Sequence, residues 1–239
     1  MKKRDVETEK IISRFSEENL KHEKSQHLQK ILFWQSFIKF SYALKRIIDF
    51  FFSLIAIIIL SPLFILTGMA IFIENPGPVI YSQQRIGKDG KPFQFYKFRS
   101  MVINADKIKD KLIQFNESKD GVIFKMKYDP RITRVGHLIR RYSLDELPQF
   151  INVLKGEMSM VGPRPPLPIE VNQYTLEDRK RLHIKPGITC IWQIEGRSDI
   201  PFNKQVELDK QYIRSQSLWE DIKILLKTIP AVITGKGAY

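Results

Sequence analysis

Polar and charged residues dominate the first forty positions, and an apolar block follows. From Ile47 to Ile73 the chain carries a single charged residue, Asp49. Crossing a bilayer takes roughly 20 apolar residues, so this block is long enough to enter one. It starts too far from the N-terminus for a signal peptide, exceeds a typical apolar signal core and lacks a small-residue cleavage site. Ser61-Pro62 falls in its middle, and proline removes a helix hydrogen bond, so a bend is predicted there. Residues 1–40 form a polar helix, frayed or amphipathic, that ends in ILFWQSFIKF. Phe33, Trp34 and Phe37 suit either a membrane interface or packing on the domain.

Beyond the block, Pro76-Gly77-Pro78 is a hard break. Val79–Arg85 and Phe93–Arg99 predict two strands of a β-hairpin, with Asp89-Gly90 in the turn. Ala105–Phe115 predicts an amphipathic helix and KYDPRITRVG a turn region. Leu147–Leu154 predicts a short helix, and GEMSMVGPRPPLP a rigid loop. Val171–His183 and Phe202–Arg214 predict helices. A last helix opens at Ser217 with Glu220 completing a capping box, and Leu218, Ile222, Leu225 and Ile229 form its apolar face. The pattern is α+β: a membrane-associated domain with an N-terminal re-entrant helical hairpin, a β-hairpin and amphipathic helices.

Charge decides between the topologies. Lys39, Lys45 and Arg46 precede the apolar block, and Arg85, Lys88 and Lys91 follow it. Basic residues near a membrane segment favour the cytoplasmic side. A single span must place one basic flank outside, whereas a hairpin keeps both inside. The hairpin is therefore preferred over a span or a buried core helix. The 239 residues carry a net charge of +13, which points to polyanionic partners such as anionic lipid or phosphorylated substrates. The basic residues are dispersed and no nucleic-acid-binding motif is present, so nucleic acid is not an expected partner. One cysteine, Cys190, allows no disulfide within the chain and reads as a packing residue. The histidines show no metal-ligand spacing.

Four stretches carry chemistry. In SLDELPQ, Asp145 and Glu146 sit side by side below Arg131, Arg134, His137, Arg140 and Arg141. Ser143 and Glu146 fit a helix cap, although Pro148 would then fall inside the helix. The other reading is catalytic: a carboxylate screened by arginines can attack phosphorus, and a second beside it can hold Mg2+. In VGPRPP, prolines stiffen the backbone around Arg164, which suits phosphate recognition, although the motif taken alone reads first as a surface turn with an incidental arginine. In YKFRSM, Lys97 and Arg99 share one strand face and the aromatics the other, which fits a binding face and an ordinary solvated sheet face equally well. In KPGITCIWQIEGRSD, Trp192 and Gln193 suit a base or sugar as well as they suit a core turn, and Arg197 lies beside them.

In order along the chain, Lys45-Arg46-x-x-Asp49, Ser61-Pro62, GPVIYSQQRIG, YKFRSM, RRYSLDELPQFINVLKGEMSMVGPRPP, KPGITCIWQIEGRS and LDKQYI resemble the bacterial sugar transferases. These are monotopic phosphoglycosyl transferases that start polyprenyl-linked glycan assembly. The resemblance runs from about Leu44 to Ile233. It implies a polar extension over 1–43, a re-entrant membrane helix broken at Ser61-Pro62 over 44–75, and a cytoplasmic catalytic domain over 76–239. It also implies that Asp145 attacks the β-phosphate of a UDP-sugar, UDP-glucose or UDP-galactose, releasing UMP. Undecaprenyl phosphate would then take the phosphosugar from the enzyme. Glu146 would bind Mg2+, and Lys97, Arg140 and Arg164 would hold phosphates. Arg99, Arg197 and Asp209 join the implied substrate-binding set. Many larger members carry a multi-span N-terminal domain, and this sequence resembles the catalytic unit alone. At Cys190 many members have glycine, which bears on the sugar. The implied location is the cytoplasmic face of the bacterial inner membrane, with both termini cytoplasmic and the oligomeric state, a homo-oligomer included, left open. The rival readings are an N-acetylated amino-sugar donor and a non-catalytic basic membrane scaffold.

Overall fold

The structure, a computed structural model, describes residues 2–112, 114, 126, 128–235 and 237. The chain divides into two compact units, 1–47 and 48–239. In the first, the backbone is helical from Lys2, and the side chains of Phe33, Trp34 and Phe37 are exposed.

In the second unit, helix α1 (Lys2–Glu74) carries the apolar block to its end. Helix is retained across Ser61-Pro62, and local chemistry explains how. Pro62 has no N–H for the Ile58 carbonyl, and the Ser61 hydroxyl donates to that carbonyl instead, at 2.8 Å. Asp49, Ser53, Thr67 and Ile71 are buried on one side, while Phe51, Ile55, Ile58, Ile59, Ile65, Leu66, Phe72 and Ile73 are exposed. Among the described residues, α1 alone contains a stretch long and apolar enough to cross a membrane. So large an exposed apolar surface marks a membrane or protein contact.

Strands β1 (Ile80–Ile86) and β2 (Pro92–Phe98) form the predicted antiparallel hairpin, pairing Ile80 with Phe98 and Ile86 with Pro92. Asp89 and Gly90 take positive φ in its turn, as the sequence requires. Helix α2 (Ala105–Leu112) matches the expected amphipathic helix; positions 113 and 115 of that expectation lie outside the described residues. Helices α3 (Arg134–Arg141) and α4 (Gln149–Lys155) flank the acidic turn. Strand β3 (Ser159–Val161) pairs in parallel with β4 (Gly187–Thr189), and α5 (Pro168–Asn172) lies between them in sequence. Helices α6 (Ile191–Glu195), α7 (Phe202–Ser215) and α8 (Leu218–Thr234) complete an α+β architecture. The main core gathers Phe95, Val153, Met158, Val161, Trp192, Tyr212 and Ile224. A second cluster packs Ile71 of α1 against Phe98 and Ile139, with Phe64 and Leu144 beside them.

One expectation is corrected. Val171–His183 is not one helix: α5 stops at Asn172, and a 3-10 segment occupies Asp178–His183. The cause is local. Thr175 donates its N–H and hydroxyl to Asp178 Oδ2, and the Asp178 N–H donates back to Thr175 Oγ1, a closed set that competes with helix. On α8 the Ser217 cap is present, its hydroxyl accepting from the Glu220 N–H. The expected apolar face is divided: Ile222 and Ile229 are exposed, as are Trp219, Leu226 and Ile233, while Leu225 packs against the main core. The buried side holds Ile224 and Asp221, whose Oδ1 accepts from the Tyr212 hydroxyl at 2.6 Å.

The β3–β4 pair brings two backbones into contact at glycines. A Cβ on Gly187 would lie 2.0 Å from the Gly162 nitrogen. Gly187→Ala is therefore expected to destabilise the domain by about 1–3 kcal/mol, the range for overpacking a close contact. A lowered midpoint of thermal unfolding in detergent checks it; an unchanged midpoint contradicts the contact.

Candidate active site

Three arms converge on the acidic pair. The first is the α3–α4 corner. Thr133 caps α3, its hydroxyl accepting from the Gly136 N–H, and the last turn carries Arg140 and Arg141. Ser143 then takes a left-handed conformation (φ 54°), which turns the chain sharply and starts a 3-10 turn over Leu144–Glu146. Ser143 makes no side-chain cap, so that expectation is corrected; its carbonyl accepts from the Glu146 N–H instead. Pro148 stands at the N-cap of α4, where a missing N–H costs nothing. The objection it raised to a helix start disappears, because the acids belong to the turn before the helix.

The second arm is β2. Lys97 Nζ lies 3.2 Å from Asp145 Oδ2 and 2.7 Å from Glu146 Oε1. Arg99 does not join it. Arg99 lies just past the strand, and its guanidinium donates to the Asn75 carbonyl. The single strand face expected for the two cations is thus split where β2 ends. Gly77 makes room for Arg99, since a Cβ there would lie 2.7 Å from its Nη1.

The third arm is the Gly162–Pro166 turn. The Pro163 carbonyl accepts from the Gly187 N–H and the Pro166 carbonyl from the Ile86 N–H. The Pro165 carbonyl accepts from Arg85 Nη1 at 3.1 Å. Arg164 stacks over the buried Trp192 ring at 5.9 Å. Trp192 is accordingly a core residue that also seats a cation. Arg85 is a site residue that the sequence reading counted only as a flanking charge. Burial and the nearby Arg164 charge push it down to about 10. Its place in strand β1 beside the proline turn is visible only once the chain is folded.

The electrostatics separate the two acids. Burial pushes the Asp145 carboxyl above its ordinary value, Lys97 opposes this, and the adjacent Glu146 charge adds to the rise. Burial also acts upward on Glu146, but Lys97 and Arg164 outweigh it and hold that carboxyl low. Arg140 and Arg197 both lose basicity through burial, and both are supported by the Asp145 charge. Four cations, Lys97, Arg140, Arg164 and Arg197, therefore act on the pair. Asp209 forms a buried ion pair with Arg181, whose Nη1 also donates to the Tyr174 hydroxyl at 2.8 Å, and the Arg164 charge reaches it as well. Burial raises Asp209 to about 6. Cys190 is buried and its thiol is pushed well up, as suits a packing residue.

This arrangement can hold an anionic phosphate and present a carboxylate to it. A carboxylate of raised pKa is a stronger nucleophile, and the fixed cations stabilise charge that develops on phosphoryl oxygens. Among the described residues no three acidic, histidine or cysteine side chains cluster as a full metal cage. Two adjacent carboxylates still suit Mg2+, which takes one or two protein carboxylates and completes its shell with water and substrate phosphates.

The family described as bacterial sugar transferases matches residues 40–235. The galactosyl transferase CpsE of Streptococcus agalactiae is 45% identical over 215 residues, covering 87% of this chain and 46% of CpsE. The undecaprenyl-phosphate galactose phosphotransferase of Salmonella typhimurium is 45% identical over 202 residues, covering 82% of this chain and 42% of its own. The chain thus spans less than half the length of these two relatives. The exopolysaccharide production protein ExoY of Sinorhizobium fredii is 39% identical over 198 residues, covering 82% of this chain and 88% of ExoY.

The unequal acids can be read directly. Infrared difference spectra against Asp145→Asn are expected to show Asp145 protonating above the ordinary carboxylate value of about 4. Lys97→Gln is expected to raise that value further, because the compensating charge is gone. Titration of Asp145 below the ordinary value, or no response to Lys97→Gln, contradicts the electrostatic description.

Proposed function

The chain belongs to the bacterial sugar transferase family, and from that premise we propose that it moves a sugar 1-phosphate from a UDP-sugar to undecaprenyl phosphate. The observation that carries this reading is the Asp145–Glu146 pair held by Lys97 within a ring of arginines. In the first step an Asp145 oxygen attacks the β-phosphorus of the donor. The bond to the bridging oxygen breaks, and UMP leaves with the electron pair. In the second, a phosphate oxygen of undecaprenyl phosphate attacks the same phosphorus. The bond to Asp145 breaks, which frees the carboxylate and yields undecaprenyl-diphosphate-sugar. Splitting the transfer lets two anionic substrates react in turn rather than together. Arg140, Arg164 and Arg197 neutralise the diphosphate, and Lys97 keeps Asp145 partly ionised against its burial. Mg2+, held by Glu146 and the donor's phosphates, would supply further charge neutralisation. UDP-galactose is the first donor to try, because two relatives carry galactose in their names. The product fits the opening step of exopolysaccharide assembly, in keeping with the name of ExoY.

The proposed seat is the cytoplasmic face of the bacterial inner membrane. Its anchor is the 44–75 segment, entering and leaving by one face. Two contacts support this hairpin over a span. Asp49, near one end of the apolar block, bonds the Met160 N–H, and Glu74, at the other end, bonds the N–H groups of Arg134 and Val135. A spanning helix puts its ends on opposite faces of a roughly 30 Å hydrocarbon layer, where one polar domain cannot reach both. The exposed stripe from Trp219 to Ile233 on α8 offers a second apolar contact for the same surface.

Two experiments test the reading. Purified enzyme with Mg2+, undecaprenyl phosphate and a panel of UDP-hexoses and UDP-N-acetylhexosamines is expected to release UMP with one donor. Asp145→Asn is expected to lower that release by a factor on the order of a thousand or more, as removal of a nucleophile does. Equal release by the variant overturns the assignment. Single cysteines placed towards each end of the chain are expected to label only from the cytoplasmic side, with buried Cys190 giving little background. Labelling of one end from outside replaces the hairpin with a span.

A further inference from the structure

The two carboxylates that bracket the apolar block do more than end it. Asp49 is buried, and its Oδ1 accepts from the Met160 N–H at 3.1 Å. Met160 is the middle residue of β3. Its neighbours Ser159 and Gly162 donate to Pro186 and Thr189 across the β3–β4 pair, and Met160 donates to α1 instead. Without Asp49 this buried N–H has no partner, a loss that falls on the strand feeding the Arg164 turn. Glu74 plays the same part at the other end. Its Oε1 accepts from the Arg134 N–H at 2.7 Å and its Oε2 from the Val135 N–H at 3.0 Å. With Thr133 taking the Gly136 N–H, every first-turn donor of α3 is satisfied, and a negative charge faces the positive end of the helix. That helix ends in Arg140 and leads directly into Asp145 and Glu146.

We propose that Asp49 and Glu74 are positioning residues that tie the membrane anchor to the two halves of the active site, Asp49 to the Arg164 arm and Glu74 to the Asp145–Glu146 arm. This rests on the transferase reading above. Under it, the anchor sets the separation between the phosphate-binding cation and the nucleophile, and the site is aligned only while both ends of the block are seated on the domain.

The two contacts make different predictions because they hold different arms. Full-length variants in nanodiscs are followed by amide hydrogen exchange and by donor kinetics. Asp49→Ala is expected to speed exchange over 159–164 and raise the donor KM about tenfold with little change in kcat; Asp49→Asn keeps an acceptor oxygen and recovers most of the loss. Glu74→Ala is expected to speed exchange over 134–146 and lower kcat about tenfold with little change in KM. Glu74→Gln offers one acceptor oxygen where two are used and recovers part. Equal effects of both alanine variants on KM and kcat, or exchange unchanged in both segments, overturn the proposal. A wild-type enzyme inactive with every donor counts against the transferase reading instead, and hydrogen exchange then still decides the positioning claim.

Discussion

One ammonium group between a buried aspartate and the half-buried glutamate beside it organises this protein. Adjacent acids removed from water repel each other and lose hydration, so one of them would take up a proton if nothing compensated. Lys97 compensates both at once. It comes from a strand far away in sequence, so the compensation exists only in the folded domain. The hairpin register delivers Lys97, the left-handed Ser143 turns the acids toward it, and the proline turn brings Arg164 within electrostatic reach of Glu146. The result is an asymmetric pair: the pKa of one acid is raised and that of its neighbour is held low beside it.

The same economy of contacts governs the membrane anchor. A proline in an apolar helix exposes a carbonyl that hydrocarbon cannot satisfy, and Ser61 covers it. At the block's two ends, side-chain carboxylates meet backbone donors of the catalytic unit rather than water. Under the proposed reaction the acceptor is a lipid phosphate, and the attacking carboxylate must then sit at headgroup depth. Bonds from the anchor to both arms of the site suit that need better than a flexible tether.

Much of this was legible in the sequence because the signals are local. Strand alternation and the Asp89-Gly90 turn gave the hairpin, Ser217 with Glu220 gave the cap of α8, and the order of motifs gave the family. The misses were non-local or depended on a competing local bond. Thr175 and Asp178 close on each other and interrupt the helix predicted over 171–183. Apolar periodicity on α8 marked a face without saying whether core or lipid would meet it. Lys97 and Arg99 alternate as expected, but β2 ends between them, and no pattern foretold that Arg99 would turn to Asn75. Arg85 entered the site only through the proline turn packed against β1.

The central claim is that Asp145 becomes covalently attached to the sugar phosphate. Intact-mass measurement of the enzyme mixed with UDP-sugar and Mg2+, without lipid acceptor, tests it most directly. The account predicts a mass increase equal to one sugar phosphate less one water, mapping to the peptide that contains Asp145 and disappearing when undecaprenyl phosphate is added. Turnover with no such adduct at any time, or an adduct on another residue, would contradict it.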